Sequence, residues 1–129
     1  MRIVRRFYEE LWNEWDLAVA DELVADDVRF RGTLGTELTG REVFKGYVAD
    51  TRAAFSDWHN RIDELIDAGG VVVARITCSG THTGELWGTP ATGRRVSYPA
   101  VGIFRLRDGV IQQAFVVGDT KELVRAISP

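Results

Sequence analysis

The chain lacks most of the residues that would commit it to a special environment. It has one cysteine, Cys78, in 129 residues, so no intrachain disulfide can form and a disulfide-stapled scaffold is excluded. Cys78 falls in the strand-like run 71–79, where a buried thiol is the usual occupant. A basic surplus is missing too: 16 Lys and Arg stand against 19 Asp and Glu, a net charge of -3 that does not suit a nucleic-acid surface. Apolar stretches such as Val71 to Ala74 are far shorter than a bilayer span, and no apolar leader follows Met1-Arg2, so a cytoplasmic chain without membrane contact is expected. Glycine-rich phosphate loops, Ser-His-Asp patterns and paired cysteine motifs do not occur. His59 and His82 have no ligand spacing to each other or to Cys78, so no metal site is expected.

What remains is an ordinary globular composition, 45% apolar and 27% charged, in a length that fits a single domain over residues 1–129. Ile3, Val4, Phe7, Tyr8, Leu11 and Trp12 form one apolar stripe at helical spacing. Asp16 can cap a short second helix with Leu17, Ala20, Leu23 and Val24 inward, ended by Asp26-Asp27. Val28 and Phe30 alternate with Arg29 and Arg31 as in a short strand, and 32–39 reads as loop. Thr39 with Glu42 makes a capping box for a third helix carrying Val43, Phe44, Tyr47, Val48, Thr51 and Phe55. Strands are predicted over 58–66, 71–79, 95–107 and 110–117, followed by a short helix over 121–127. Asp108-Gly109 between two apolar runs signals a type I′ hairpin. Helices first and antiparallel strands afterwards give an α+β class, with a meander packed on N-terminal helices.

If Asp108-Gly109 is a two-residue turn, regular alternation from Arg107 opposite Val110 brings Phe104 opposite Gln113, Gly102 opposite Phe115 and Tyr98 opposite Asp119. One face then holds Tyr98 and Asp119 beside Phe104, Leu106 and Phe115, an apolar setting that raises a carboxylate pKa and suits a general acid or base. The plain alternative is that Asp119 caps the last helix. The opposite face would carry Val101, Ile103, Ala114 and Val116, also apolar, which predicts a homodimer through the sheet.

The segment Gly80-Thr81-His82-Thr83-Gly84-Glu85-Leu86-Trp87-Gly88-Thr89-Pro90-Ala91-Thr92-Gly93-Arg94-Arg95 resembles an inter-strand loop of the SnoaL-like polyketide cyclase and ester cyclase family. Arg5-Arg6-Phe7-Tyr8-Glu9-Glu10 and Ile103-Phe104-Arg105-Leu106-Arg107-Asp108-Gly109 are also similar to family signatures. The resemblance implies the cone of the nuclear transport factor two-like superfamily, a cystatin-like roll in which a curved antiparallel sheet wraps around helices. It further implies a pocket in the cone, no metal or organic cofactor, and intramolecular aldol condensation with an Asp near the end of the last strand as acid-base residue. That position matches Asp119. The strand before it reads Gln113-Ala114-Phe115-Val116-Val117-Gly118, without the Trp and His that relatives often carry there.

On this reading Asp119 is the catalytic candidate, and Tyr98 orients an oxyanion. His82, Trp87, Phe104, Phe115, Tyr47, Trp12 and Phe30 are the candidates to hold a small hydrophobic or aromatic ligand. For each aromatic residue, core packing is the bland alternative. For His82 it is a surface-loop bond to Thr81 or Thr83. A non-catalytic small-molecule binder, or an isomerase or epoxide-opening hydrolase on the same fold, are the rival functions.

Overall fold

The computed structural model describes residues 1–35 and 37–128; Thr36, within the predicted loop, lies outside the described residues. A first helix, α1 (Arg2–Arg6), widens into a π-helical turn over Phe7–Trp12. The wider turn lets Phe7, Tyr8, Leu11 and Trp12 all be buried. A 3₁₀ turn (Leu17–Val19) leads into α2 (Ala20–Leu23), then β1 (Val24–Arg31), the short β2 (Leu38–Thr39) and α3 (Arg41–Ala54). The rest is a meander: β3 (His59–Asp67), β4 (Val71–Thr81), β5 (Arg95–Arg107) and β6 (Val110–Gly118), closed by α4 (Thr120–Ile127). The α+β expectation holds.

Six strands form one curved, unclosed sheet in the order β2-β1-β6-β5-β4-β3. It is mixed, because β1 runs parallel to β6 while the other neighbours are antiparallel. Asp26 and Asp27 do not end α2. They lie exposed inside β1, whose inward residues Val24, Val28 and Phe30 set the burial pattern, and Asp27 accepts a hydrogen bond from Gln112. Thr39 cannot cap α3, since it is paired with Arg29 in β2; the N-cap is Gly40, whose φ of 105° favours glycine.

Besides a register shift between Val24 and Arg29 where β1 meets β6, two bulges bend the antiparallel part of the sheet. In β3 the residue between Ile62 and Glu64 has no partner in β4, and this residue, Asp63, accepts hydrogen bonds from Thr77 and Arg61. In β6 the pairing runs Arg107 with Val110 and Leu106 with Ile111, then resumes as Arg105 with Gln113, leaving Gln112 as the extra residue. The Asp108-Gly109 turn itself is as expected, with φ of 52° and 78°.

That single bulge corrects the counted register. Beyond it, Phe104 faces Ala114, Gly102 faces Val116 and Ile103 faces Phe115. Ala114 and Val116 are therefore buried inside the cone, whereas Val101, Ile103, Phe115 and Val117 are 44, 38, 46 and 48% exposed on the outside. The core fills the concave side, with Phe7 stacked on Phe44 at 5.6 Å and edge-on to Phe104 at 5.3 Å.

Candidate functional site

The concave face of the sheet and the helices facing it leave a small cavity. The π-helical turn contributes Phe7, Tyr8 and Trp12, β1 contributes Phe30, and the segment after β1 contributes Gly32 and Thr33. Tyr47 and Thr51 come from α3, and Ile76, Cys78, Asn60 and Val116 come from the sheet. Asn60, Cys78 and Tyr98 form one row across β3, β4 and β5, because Asn60 pairs with Cys78 and Cys78 with Tyr98.

Two phenol oxygens tie the segment after β1 to the rest of the cavity wall. The Leu34 N–H donates to Tyr47 Oη at 3.0 Å, and Thr33 Oγ1 lies 2.7 Å from Tyr98 Oη in a hydroxyl–hydroxyl bond. Gly32 is needed for this, since a Cβ there would collide with the Tyr47 phenol. The third tyrosine of the chain, Tyr8, differs: it is 2% exposed and its hydroxyl has no hydrogen-bond partner among the described residues.

Burial sets the protonation of these groups. It pushes the Tyr47 phenol up to about 12 and the Cys78 thiol up to about 12, and it holds Tyr8 and Tyr98 well above the ordinary phenol value. All four are neutral at physiological pH, so the phenols can donate hydrogen bonds and the thiol is inert. Among the described residues lining the cavity, none is Asp, Glu, His, Lys or Arg.

Trp12, Phe30 and Tyr47 thus line the cavity, Tyr98 is bonded to the lining residue Thr33, and Phe104 packs behind it against Phe7 and Tyr8. The remaining candidates lie elsewhere. Phe115 is on the outer face, under the Arg31 guanidinium at 5.5 Å. Trp87 is 54% exposed, at φ 50° in a tight turn closed by Leu86 and Thr89. His82 is fully buried rather than at a mouth. Its partner is Thr92, whose backbone N–H donates to Nδ1 at 3.2 Å and whose hydroxyl lies 2.9 Å from it, instead of Thr81 or Thr83.

Asp119 is exposed and is not opposite Tyr98; its backbone N–H donates to the Pro99 carbonyl. It occupies the N-cap position of α4, yet its side chain makes no capping bond. Tyr8, Thr33, Thr51, Trp58, Asn60, Ile76, Cys78 and Val116 are lining residues that sequence reasoning did not select. The alternation of β3 and β4 would have supplied Asn60, Ile76 and Cys78, all on one inward row set.

The SnoaL-like polyketide cyclase family model matches residues 2–127. The chain belongs to that family. Within it, this SnoaL-like chain is 39% identical over 77 residues to the aklanonic acid methyl ester cyclase DnrD of Streptomyces peucetius, a match covering 59% of the chain and 53% of DnrD. It is 37% identical over 78 residues to the cyclase DauD of Streptomyces sp. strain C5, covering 59% of the chain and 48% of DauD. The aligned segment thus spans about half the length of these curated relatives. Among solved structures, a SnoaL-like polyketide cyclase candidate from Jannaschia sp. CCS1 superposes with a TM-score of 0.91 at 24% identity, covering 98% of this chain and 90% of that one, which speaks for the fold. IdmH of Streptomyces antibioticus, a polyketide cyclase candidate, gives 0.84 at 27% identity, covering 97% and 95% of the two chains. No helix among the described residues is long and apolar enough to cross a membrane.

Proposed function

We propose that this SnoaL-like chain binds a small, flat, hydrophobic molecule inside the cone and does so without a charged acid-base residue in the cavity. The observation that carries the reading is the wall itself: aromatic rings and neutral phenols line it, and the inward position of β6 that would bring a carboxylate to the ligand is Val116. A neutral apolar cavity rewards burial of an apolar ligand and offers no general base near neutral pH.

A cyclase reading, with Asp119 as the acid-base residue of an aldol-type ring closure, draws support from the ester cyclases that the chain resembles. It requires Asp119 to turn from the outer side of the sheet toward the cavity. A neutral fluorophore, N-phenyl-1-naphthylamine, separates the two. Binding is expected with wild type, is lost in Val116→Trp, which fills the cavity, and is unchanged in Asp119→Asn. An unchanged signal in Val116→Trp would move the binding elsewhere. Turnover of a polyketide methyl ester that disappears in Asp119→Asn would establish the cyclase reading instead.

The same reading includes a homodimer in the cytoplasm. Val101, Ile103, Phe115 and Val117 pair across β5 and β6 as one exposed apolar quartet, a surface that a second copy of the chain would cover.

A further inference from the structure

Burying a phenol hydroxyl without a partner costs free energy, and such groups are few in folded proteins. Tyr8 Oη is one, and it sits in the wall of the cavity. Its two counterparts are engaged, Tyr47 with the Leu34 N–H and Tyr98 with Thr33, so of the three tyrosine hydroxyls Tyr8 alone has no partner among the described residues.

The surroundings hold it in place. The ring packs edge-on against Phe7 at 5.2 Å and against Phe104 at 5.7 Å, and its oxygen lies over Gly102, where an added Cβ would approach it to 3.3 Å. Gly102 lies four residues along β5 from Tyr98, so the free hydroxyl sits over a different part of that strand from the row of Asn60, Cys78 and Tyr98. A ligand reaching Tyr8 would meet a hydroxyl that no group among the described residues engages.

We propose that Tyr8 is a specificity-determining residue that donates a hydrogen bond to an uncharged carbonyl oxygen of the ligand, and that the cavity rejects carboxylate-bearing analogues of the same shape. The inference rests on the cavity being the binding site. Rejection follows from the wall: it holds no cation to pair with a buried anion, and one neutral donor does not offset the desolvation of a carboxylate.

Displacement of N-phenyl-1-naphthylamine by three probes of one shape tests it: fluorene, 9-fluorenone and 9-oxofluorene-2-carboxylate. In wild type the ketone should bind roughly 3- to 10-fold more tightly than fluorene, the worth of one neutral hydrogen bond. In Tyr8→Phe that ratio should fall to about one, with fluorene itself unaffected, which also shows that the cavity is intact. The carboxylate should be weaker than the ketone by roughly a hundredfold or more. A ketone preference that survives in Tyr8→Phe, or a carboxylate that binds as well as the ketone, would overturn the assignment while leaving the cavity as the binding site. Failure of all three probes to displace the fluorophore would remove the underlying reading as well.

Discussion

The Asp119 N–H donates to the Pro99 carbonyl at 3.0 Å, which puts Asp119 in step with the outward residues of β5 and one position away from Tyr98. Because inward and outward residues alternate, this one bond implies that Val116 and Val117 present opposite surroundings to a new charge. Val116→Asp should destabilise the fold by about 2–4 kcal/mol at pH 8 and by less at pH 4, since burial raises the carboxyl pKa and protonation removes the buried charge. Val117→Asp, made in the monomeric background in which Val101 and Phe115 are Lys, should cost under about 0.5 kcal/mol at either pH. Urea midpoints at the two pH values check this, and equal effects at both positions would reject the register.

Tyr8→Phe should raise stability, because it deletes a hydroxyl whose burial is uncompensated. The expected gain is about 1 kcal/mol, seen as a Tm higher by a few degrees. A lower Tm would mean that the hydroxyl has a partner in solution.

Alkali should unfold the protein from the inside. The folded pKa of Cys78 is pushed up to about 12 from an ordinary 9.0, and that of Tyr47 up to about 12 from 10.0. Raised acids stabilise the fold fully below their unfolded pKa, and the contribution is lost as pH climbs toward the folded value. Stability should therefore hold to about pH 9 and then fall, with Cys78→Ala flattening the decline by up to about 1.4 kcal/mol per pH unit. Denaturation midpoints from pH 7 to pH 11 report it; a decline that begins below pH 8 would point to other groups.

The outer quartet of Val101, Ile103, Phe115 and Val117 predicts dimers by sedimentation velocity at micromolar concentration. Replacing Val101 and Phe115 by Lys should give a folded monomer. Sedimentation of the wild type as a monomer alone would discard the interface.

Gly84→Ala should be among the costliest small changes in the chain. The Gly84 and Thr83 N–H groups both donate to the Ala54 carbonyl at the end of α3, and a Cβ at 84 would strike the Ala53 carbonyl. A loss above about 2 kcal/mol is expected in chemical denaturation. Gly46→Ala, in open space on α3, should be neutral or stabilising by contrast.

Much of the fold is legible in the sequence because its signals are local. The Asp108-Gly109 turn, the stripe from Ile3 to Trp12 and the run of strands after Trp58 each announce themselves within a few residues. The bulge does not: Gln112 and Gln113 are both polar, so either phase of alternation fits the stretch, and tertiary packing decides. His82 reads as surface because glycines flank its loop, yet Thr92, ten residues away, folds back and encloses it. Tyr8 lies on the same helical stripe as Phe7, and nothing in the spacing tells a core tyrosine from one whose hydroxyl is left free.

The extra residue in β6 also bears on how the chain reaches its native state. A hairpin nucleated at Asp108-Gly109 forms two native pairs and can then zip straight on, aligning Gln112 with Arg105 and turning Phe115 and Val117 toward the helices. That alignment brings larger side chains to the places filled by Ala114 and Val116, so it must unzip before the interior can close. The parallel docking of β1, which pairs Phe30 with Ala114, likewise fits the bulged hairpin, and refolding is expected to wait on that correction.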